Sequence, residues 1–332
     1  MSAVAVRSAP EPAPIWREAR LEARVCGLCG ADDYFPAGRR ADGLRLCECR
    51  RCGLAYLNPV PDAASIRRLY LGDYFGSQPQ NGTFRAYENY LAAHAHDDDP
   101  RRLEFRLLLE QIDDPARARV LEVGCAAGDL LSLFARRGSA CAGVELNPEM
   151  AAFARRRLAA PIYETPLEDG LPIASGGFDV VIANSVLEHV ERPGRFLDEV
   201  ARLLAPGGLF YVTTPNWGCS ARAGEDWIGY FGQWEHLCYF SDCTLRRSLS
   251  QRGFDVVVEG SGGPPARARV ERRRKPVKRA RRLIQRVPLL GRTAVALKRM
   301  LHKPKLRPLN YDAADYVAVF RKQQSEALRN AA

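Results

Sequence analysis

An α/β fold on a mostly parallel sheet is what this 332-residue sequence predicts, and three observations carry the prediction. From Arg119 onward, apolar strand-like runs alternate with helical segments, the pattern of a parallel sheet covered on both faces. Between the first run and its helix lies a tight turn, Gly124-Cys125-Ala126-Ala127-Gly128, at the position where such sheets hold nucleotides. Five of the ten cysteines fall between Cys26 and Cys52, ahead of the alternation, so a small separate element precedes the sheet.

Taken in order, residues 1–18 begin "MSAVAVRSAPEPAPIW", Ala/Pro-rich but without the basic region and apolar core of a signal peptide. A disordered leader and a cytoplasmic location are expected. Residues 19–60 hold the cysteines, and 61–118 read as a helical cap or linker. That linker is interrupted by a Gly- and Asn-containing loop and ends in the amphipathic run "RRLEFRLLLEQI", stopped by "DDP". Residues 119–261 form the α/β core. Its strand candidates are "RVLEVG", "CAGVEL", "PIYE", "FDVVIAN", "GLFYVTT" and "FDVVVEG". Helices start at Asp129, Pro148, Pro193 and Ser241, and "LLAPGG" reads as a helix stop before the fifth strand. Residues 262–308 break the alternation. A last strand, "DYVAVFRK", lies within 309–332.

Composition is that of an ordinary soluble protein, 46% apolar and 27% charged, with no apolar run near the roughly 20 residues of a membrane span. The net charge of +10 is concentrated. Between Arg267 and Arg307 there are 17 Lys/Arg and a single acid, Glu271, a local balance of +16, so the rest of the chain carries −6. Acidic partners are therefore a question for that segment alone.

The glycine turn fails two nucleotide frames. A dinucleotide fingerprint needs glycine at 124, 126 and 129, and the chain has Gly124, Ala126 and Asp129. A phosphate loop needs Gly-Lys-Ser/Thr, which is absent. The frame Gly-x-Gly-x-Gly fits better, with Ala126 in the middle place: Gly124 permits the turn and Gly128 a close backbone approach to a ligand. "VLEVGCAAGDLL" then resembles the first motif of class I S-adenosylmethionine (SAM)-dependent methyltransferases. "GVELNPEM", "PLEDGLPI", "FDVVIANSVLEHV" and "FLDEVARLLAPGGLFYVTTPN" resemble the motifs that follow, in order. The resemblance implies a Rossmann-like seven-stranded sheet with the last strand antiparallel. It implies Glu122, Gly124, Cys125, Ala126 and Gly128 around the methionine of SAM, and Glu145 with Leu146 at the ribose. Leu167 and Glu168 fall beside adenine, and Asn184 at the end of the fourth strand. A carboxylate 17 residues beyond Gly128 can accept both ribose hydroxyls, and an acidic lining suits a sulfonium.

Methyl transfer is an in-line displacement that depends on alignment, and an alcohol acceptor gains from a general base with a pKa near neutrality, for which histidine is the natural candidate. Two histidines are placed for that role. His189, in "SVLEHVERP", follows the fourth strand, and the resemblance to small-molecule and sugar O-methyltransferases implies a base there. His236, in "WEHLCYFS", lies beyond the fifth strand. Each has a structural alternative, anchoring a loop through a backbone bond. Glu188 adjoins His189, and neighbouring side chains tend to diverge, so it is not counted with them. Trp217, Trp227, Tyr230, Phe231, Trp234 and Tyr239 crowd the segment around His236; they line an acceptor pocket or form core beneath a lid.

Cys26-x2-Cys29 and Cys49-x2-Cys52, 19 residues apart, have the spacing of a zinc ribbon, in which four thiolates close a structural tetrahedral site. Cys47 is an alternative to Cys49. The stretch from Cys49 to Phe75 also resembles a bacterial group of methyltransferases with an amino-terminal zinc knuckle. Residues 262–308 combine Lys/Arg with Leu, Val and Ile. An anionic membrane surface is the partner this composition suits best, while a solvated flap and a nucleic-acid contact remain alternatives, the latter disfavoured by the lack of stacking aromatics. The leading expectation is a SAM-dependent O-methyltransferase of a sugar, glycolipid or isoprenoid-type hydroxyl, with structural zinc. An RNA methyltransferase and a non-catalytic zinc-ribbon scaffold are the alternatives.

Overall fold

A computed structural model of the chain describes residues 18–40, 42–70, 102–220, 227, 235–265 and 313–324. Residues 1–17 of the expected leader, residues 71–101 of the expected helical cap, Tyr230, Phe231, Trp234 and residues 266–312, most of them in the basic segment, lie outside these.

The chain opens with β1 (Leu21–Glu22), β2 (Tyr34–Arg39), β3 (Arg45–Cys49) and β4 (Ala55–Leu57), and β5 (Val60–Pro61) returns to pair antiparallel with β1. Then come α1 (Ala63–Arg68) and α2 (Arg102–Leu109). The alternating region follows as β6 (Arg119–Val123), α3 (Asp129–Ala135), β7 (Ala140–Val144), α4 (Pro148–Leu158), β8 (Ile162–Tyr163), β9 (Phe178–Asn184), α5 (Pro193–Leu203) and β10 (Leu204–Pro215). The chain continues with β11 (Cys238–Tyr239), α6 (Asp242–Ser250), β12 (Phe254–Pro265) and β13 (Ala313–Lys322).

Seven strands form one sheet in the order β12-β13-β10-β9-β6-β7-β8. The five from β10 to β8 are parallel, and β13 runs antiparallel to both β10 and β12. Strand order reverses between β6 and β9, the point where open α/β sheets bind ligands beyond their carboxyl ends. The helix starts follow local chemistry. Asn147 caps α4 by accepting from Glu149 and Met150 amides at 3.1 Å, with Pro148 in the first turn. Ser241 caps α6 through the Thr244 amide at 3.0 Å. One boundary differs from expectation: β10 begins at Leu204, before "APGG". Leu204 already pairs with Phe178, and the register then slips before Leu209, so the glycines make a bulge inside the strand rather than a break ahead of it.

Period-two alternation divides the core cleanly. Leu121, Val123, Val181, Ala183, Phe210, Val212, Ala318 and Phe320 face one side, against α5, α6 and the cysteine-rich segment. Val120, Val180, Ile182, Leu209, Tyr211, Val317 and Val319 face the other, against α2, α3 and α4. Burying each Val, Leu, Ile or Phe among them contributes about 1.5–3 kcal/mol before chain entropy is counted.

The second sheet runs β11-β4-β3-β2. Its fourth strand, β11, comes from beyond β10, so the amino-terminal hairpins are completed by the segment that carries His236. The cysteine turn also meets α5 at backbone distance. The Gly194 amide donates to the Gly27 carbonyl at 3.0 Å, and a Cβ on Gly194 would stand 2.6 Å from the Leu28 carbonyl oxygen. Helix propensity alone expects Gly194→Ala to stabilise α5 by about 1 kcal/mol. The packing expects the opposite sign, a loss of about 1–3 kcal/mol. A urea midpoint below that of wild type supports the packing view, and a raised midpoint contradicts it.

Candidate active site

The turn after β6 is held from its neighbour strand. The amides of Gly124 and Cys125 both donate to the Val144 carbonyl, at 2.8 and 3.0 Å. Gly124 (φ +67°), Ala126 (φ +45°) and Gly128 (φ +76°) are all left-handed, so the place where the glycine frame has alanine keeps the glycine conformation. Gly128 serves packing: a Cβ there would stand 2.6 Å from Leu158 Cδ1 on α4. Glu145, just past β7 and 7% exposed, accepts from the Ala126 amide through Oε2 at 2.9 Å and from the Asn147 amide through Oε1 at 2.8 Å. Burial raises its pKa, and these backbone bonds oppose the rise. One carboxylate thus ties the glycine turn to the start of α4, with lone pairs left for a further donor on each oxygen. Glu122 is buried near the end of β6, Cys125 and Leu167 are buried, and Leu146 after β7, Glu168 and Asn184 at the end of β9 are half-buried. Asn184 Oδ1 accepts from the Thr213 hydroxyl at 2.7 Å.

Past β9, the chain turns through Ser185 (φ +54°) into a single helical turn, Leu187–His189. This brings Glu188 and His189 together with His236, and one ligand-type atom of each lies within 4.8 Å of the others. Glu188 Oε1 is 4.0 Å from His189 Nε2 and 3.9 Å from His236 Nε2, just beyond hydrogen-bond reach. The two imidazoles meet edge to face at 4.7 Å. The expectation that Glu188 diverges from His189 therefore fails, because the tight turn folds adjacent side chains toward the same segment. Burial pushes His189 down to about 4, opposed by its hydrogen bond to the Glu235 backbone, and pushes Glu188 up to about 8. His236 is also pushed down by burial, then by His189 and by Arg40. All three groups are uncharged near neutral pH.

Tyr70 links the two ends. Its carbonyl accepts from Asn147 Nδ2 at 3.1 Å, and its ring stands edge-on to His189 at 6.4 Å. The aromatic segment resolves in favour of core for three of its members: Trp217, Trp227 and Tyr239 are buried against one another and against Leu46, Leu57 and Val60. Trp217 also donates to Glu48 at 2.8 Å. The thiols of Cys26, Cys29, Cys49 and Cys52 converge, with sulfur separations of 3.4 Å (Cys26–Cys52) and 3.6 Å (Cys29–Cys49). Cys47 points elsewhere, toward the Asn58 carbonyl at 3.9 Å. Sequence reasoning missed Tyr70 and the buried pair Arg40–Asp42. Asn147-Pro148 announced a helix start, but nothing in sequence announced its bond to Tyr70.

The titrations carry a testable sign. Unfolded, His189 takes up its proton near pH 6.5, so between about pH 4 and 6.5 the unfolded chain holds a proton that the folded chain lacks. Stability from this residue rises with pH across that window. Glu188 acts oppositely between about pH 4.5 and 8, where the folded chain holds the extra proton and stability falls as pH rises. In urea titrations at several pH values, the stability of His189→Gln minus that of wild type should fall by up to about 1.4 kcal/mol per pH unit between pH 4 and 6.5. Parallel curves would show that His189 is not held neutral by the fold.

A methyltransferase-domain family profile matches residues 94–259, half of the chain. Among curated relatives, a ubiquinone biosynthesis O-methyltransferase of Xanthomonas axonopodis pv. citri is 34% identical over 126 residues, 36% of this chain and 52% of the relative. One of Xanthomonas oryzae pv. oryzae is 33% identical over 156 residues, 42% of this chain and 65% of the relative. The chain thus spans about half to two thirds of the length of these relatives. A solved SAM-dependent methyltransferase from Archaeoglobus fulgidus is 18% identical, with 72% of this chain and all of that one covered at a TM-score of 0.46. With the profile covering the strands and turns from β6 to β12 that build the candidate site, the chain belongs to the methyltransferase domain family.

Proposed function

We propose that the protein is a SAM-dependent methyltransferase that O-methylates a hydroxyl of a small sugar, glycolipid or isoprenoid-type molecule. The observation that carries the reading is the pairing of two stations on the carboxyl edge of the sheet. Glu145 holds the left-handed turn after β6 and β7, and His189 with His236 and Glu188 follows β9, while Tyr70 touches both. The names of the curated relatives favour an O-linked acceptor of isoprenoid-quinone type within that class.

The residues fit SAM. Glu145 is locked in orientation by two backbone amides and keeps lone pairs for the ribose hydroxyls, and buried Glu122 adds a second carboxylate that would suit a cationic cofactor. When bound, SAM supplies an electrophilic methyl. His189, neutral above about pH 4 and less buried than His236, accepts the proton of the acceptor hydroxyl at an imidazole nitrogen. Glu188, whose carboxyl ionises near pH 8, then stands within 4.0 Å of the resulting imidazolium. Tyr70 and the turn hold the two stations in register and limit water between them.

The fit for zinc is also good. Zinc–sulfur bonds of about 2.3 Å in a tetrahedron put sulfurs about 3.8 Å apart, close to the separations seen among Cys26, Cys29, Cys49 and Cys52. Four protein ligands leave no open position, so the ion would brace the second sheet and take no part in methyl transfer. The residues 262–308 supply a basic contact for an anionic membrane around an apolar acceptor.

Three measurements test these assignments. Calorimetry should give SAM binding that Glu145→Ala weakens at least about tenfold, and label from methyl-SAM should enter a lipid or sugar fraction of a cell extract. Unchanged affinity in Glu145→Ala removes that residue from the site, and label found in RNA alone overturns the small-molecule reading. Elemental analysis should give about one zinc per chain, lost in Cys52→Ser with a lower melting temperature; a metal-free protein with wild-type stability contradicts the ribbon.

A further inference from the structure

The segment carrying His236 is gripped from the far end of the chain's first hairpin. Arg40 follows β2 at the hairpin tip, and its side chain is fully buried, as is that of Asp42. The turn closes without the Arg40 side chain: the Arg40 amide donates to the Leu44 carbonyl and the Gly43 amide to the Arg40 carbonyl, both at 2.9 Å, and Asp42 accepts from the Leu44 amide. Burying an ion pair on a hairpin tip costs desolvation and adds little stability over apolar residues of similar volume. The pair therefore calls for another role, and its contacts supply one.

Arg40 Nε donates to Asp42 Oδ1 at 3.2 Å, and one Nη donates to Asp42 Oδ2. Asp42 is itself fixed by the Leu44 amide at 3.1 Å. That leaves the other Nη aimed away from the hairpin, donating to the His236 carbonyl at 2.7 Å and reaching the Tyr239 hydroxyl at 3.4 Å. The rigid guanidinium fork suits this division, one edge on the carboxylate and one on the neighbouring chain. The His236 ring has no comparable hold. Its Nε2 stands 3.9 Å from Glu188, and its Nδ1 finds no hydrogen-bond partner among the described residues. Packing edge-on to His189 and Tyr239, at ring distances of 4.7 and 5.7 Å, holds the imidazole from the point where its main chain places it.

We propose that Arg40 is a positioning residue for His236, fixing its main chain so that its ring stays against His189 and Glu188. The inference rests on the reading of the histidine pair as the acceptor-side station. It adds an electrostatic consequence. The groups facing His236 are Glu188 and His189 from the turn after β9, Arg40 with Asp42 behind it from the hairpin, and Glu235 and Tyr239 from its own segment. Among them Arg40 is the permanent cation, and it joins burial and His189 in disfavouring a second positive charge on the ring.

The test uses histidine-labelled full-length protein and nuclear magnetic resonance. The chain has five histidines, so His236→Gln assigns the signal. In wild type the His236 ring should stay uncharged down to the onset of acid unfolding. Arg40→Met with Asp42→Asn removes both charges and leaves no buried ion unpaired. There the His236 midpoint should rise by about one unit or more, a tenfold gain in proton affinity, and the Hε1 signals of His189 and His236 should both move. Arg40→Lys keeps the charge but not the fork, so it should restore the uncharged ring while leaving the Hε1 signals displaced. An unchanged midpoint and unchanged signals in a folded double variant overturn the proposal. Should that variant fail to fold, judged by melting and SAM calorimetry, Arg40→Lys decides through the Hε1 signals, and wild-type positions there overturn it. No acceptor is needed for these readouts. Absence of methyl transfer by the wild type would therefore refute the enzymatic reading without touching the Arg40 result.

Discussion

Leu237 is bonded on both sides, and the arrangement of the site depends on that joint. Its amide donates to the Glu188 carbonyl at 2.8 Å, in the turn after β9, and its carbonyl accepts from the Leu57 amide at 3.0 Å, at the end of β4. One residue thus transmits main-chain order from the cysteine-rich sheet to the histidine turn. Arg24 reinforces the joint, donating to the carbonyls of Leu237 and Glu191 at 3.3 and 3.2 Å. Backbone bonds of this kind are insensitive to side-chain identity, so the two sheets hold their relation through geometry. What the amino-terminal segment contributes is therefore rigidity at a place the α/β core would otherwise leave to a long loop.

The electrostatics follow from the same closeness. Glu188, His189 and His236 lie where two sheets meet, and the resulting desolvation moves carboxyl and imidazoles in opposite directions, each toward its uncharged form. Asp315, paired with Pro215 across the strands, is driven up to about 6 by the same cause. Glu145 differs because two backbone amides reward its charge even as burial penalises it. A carboxyl and two imidazoles near their uncharged forms thus gather beyond β9, while a carboxyl held by fixed backbone bonds stands beyond β7.

Much of this was legible in the sequence, and for identifiable reasons. Strands β6, β7 and β9 and the helices α3, α4 and α5 obey local rules: short continuous apolar runs, an Asn-Pro cap, glycines at turns. The cysteine spacing is a local rule as well, and the four thiols converge as that spacing requires. What escaped was non-local. No sequence pattern pairs residue 56 with residue 238, aims an arginine at a carbonyl 196 positions away, or folds Trp217 and Tyr239 against Leu57. The divergence expected of Glu188 and His189 failed for a different reason: one tight helical turn replaced the extended backbone that the expectation assumed.

The long basic segment leaves β12 and re-enters at β13, and the two strands remain paired as far as Pro265 and Ala313. The re-entry point has an address. Asp315 pairs with Pro215 at the end of β10, the same edge from which the His189 turn emerges. Chain joined to Pro265 and to Ala313 therefore starts and ends within a few residues of Asp315, on the edge of the sheet from which the His189 turn emerges.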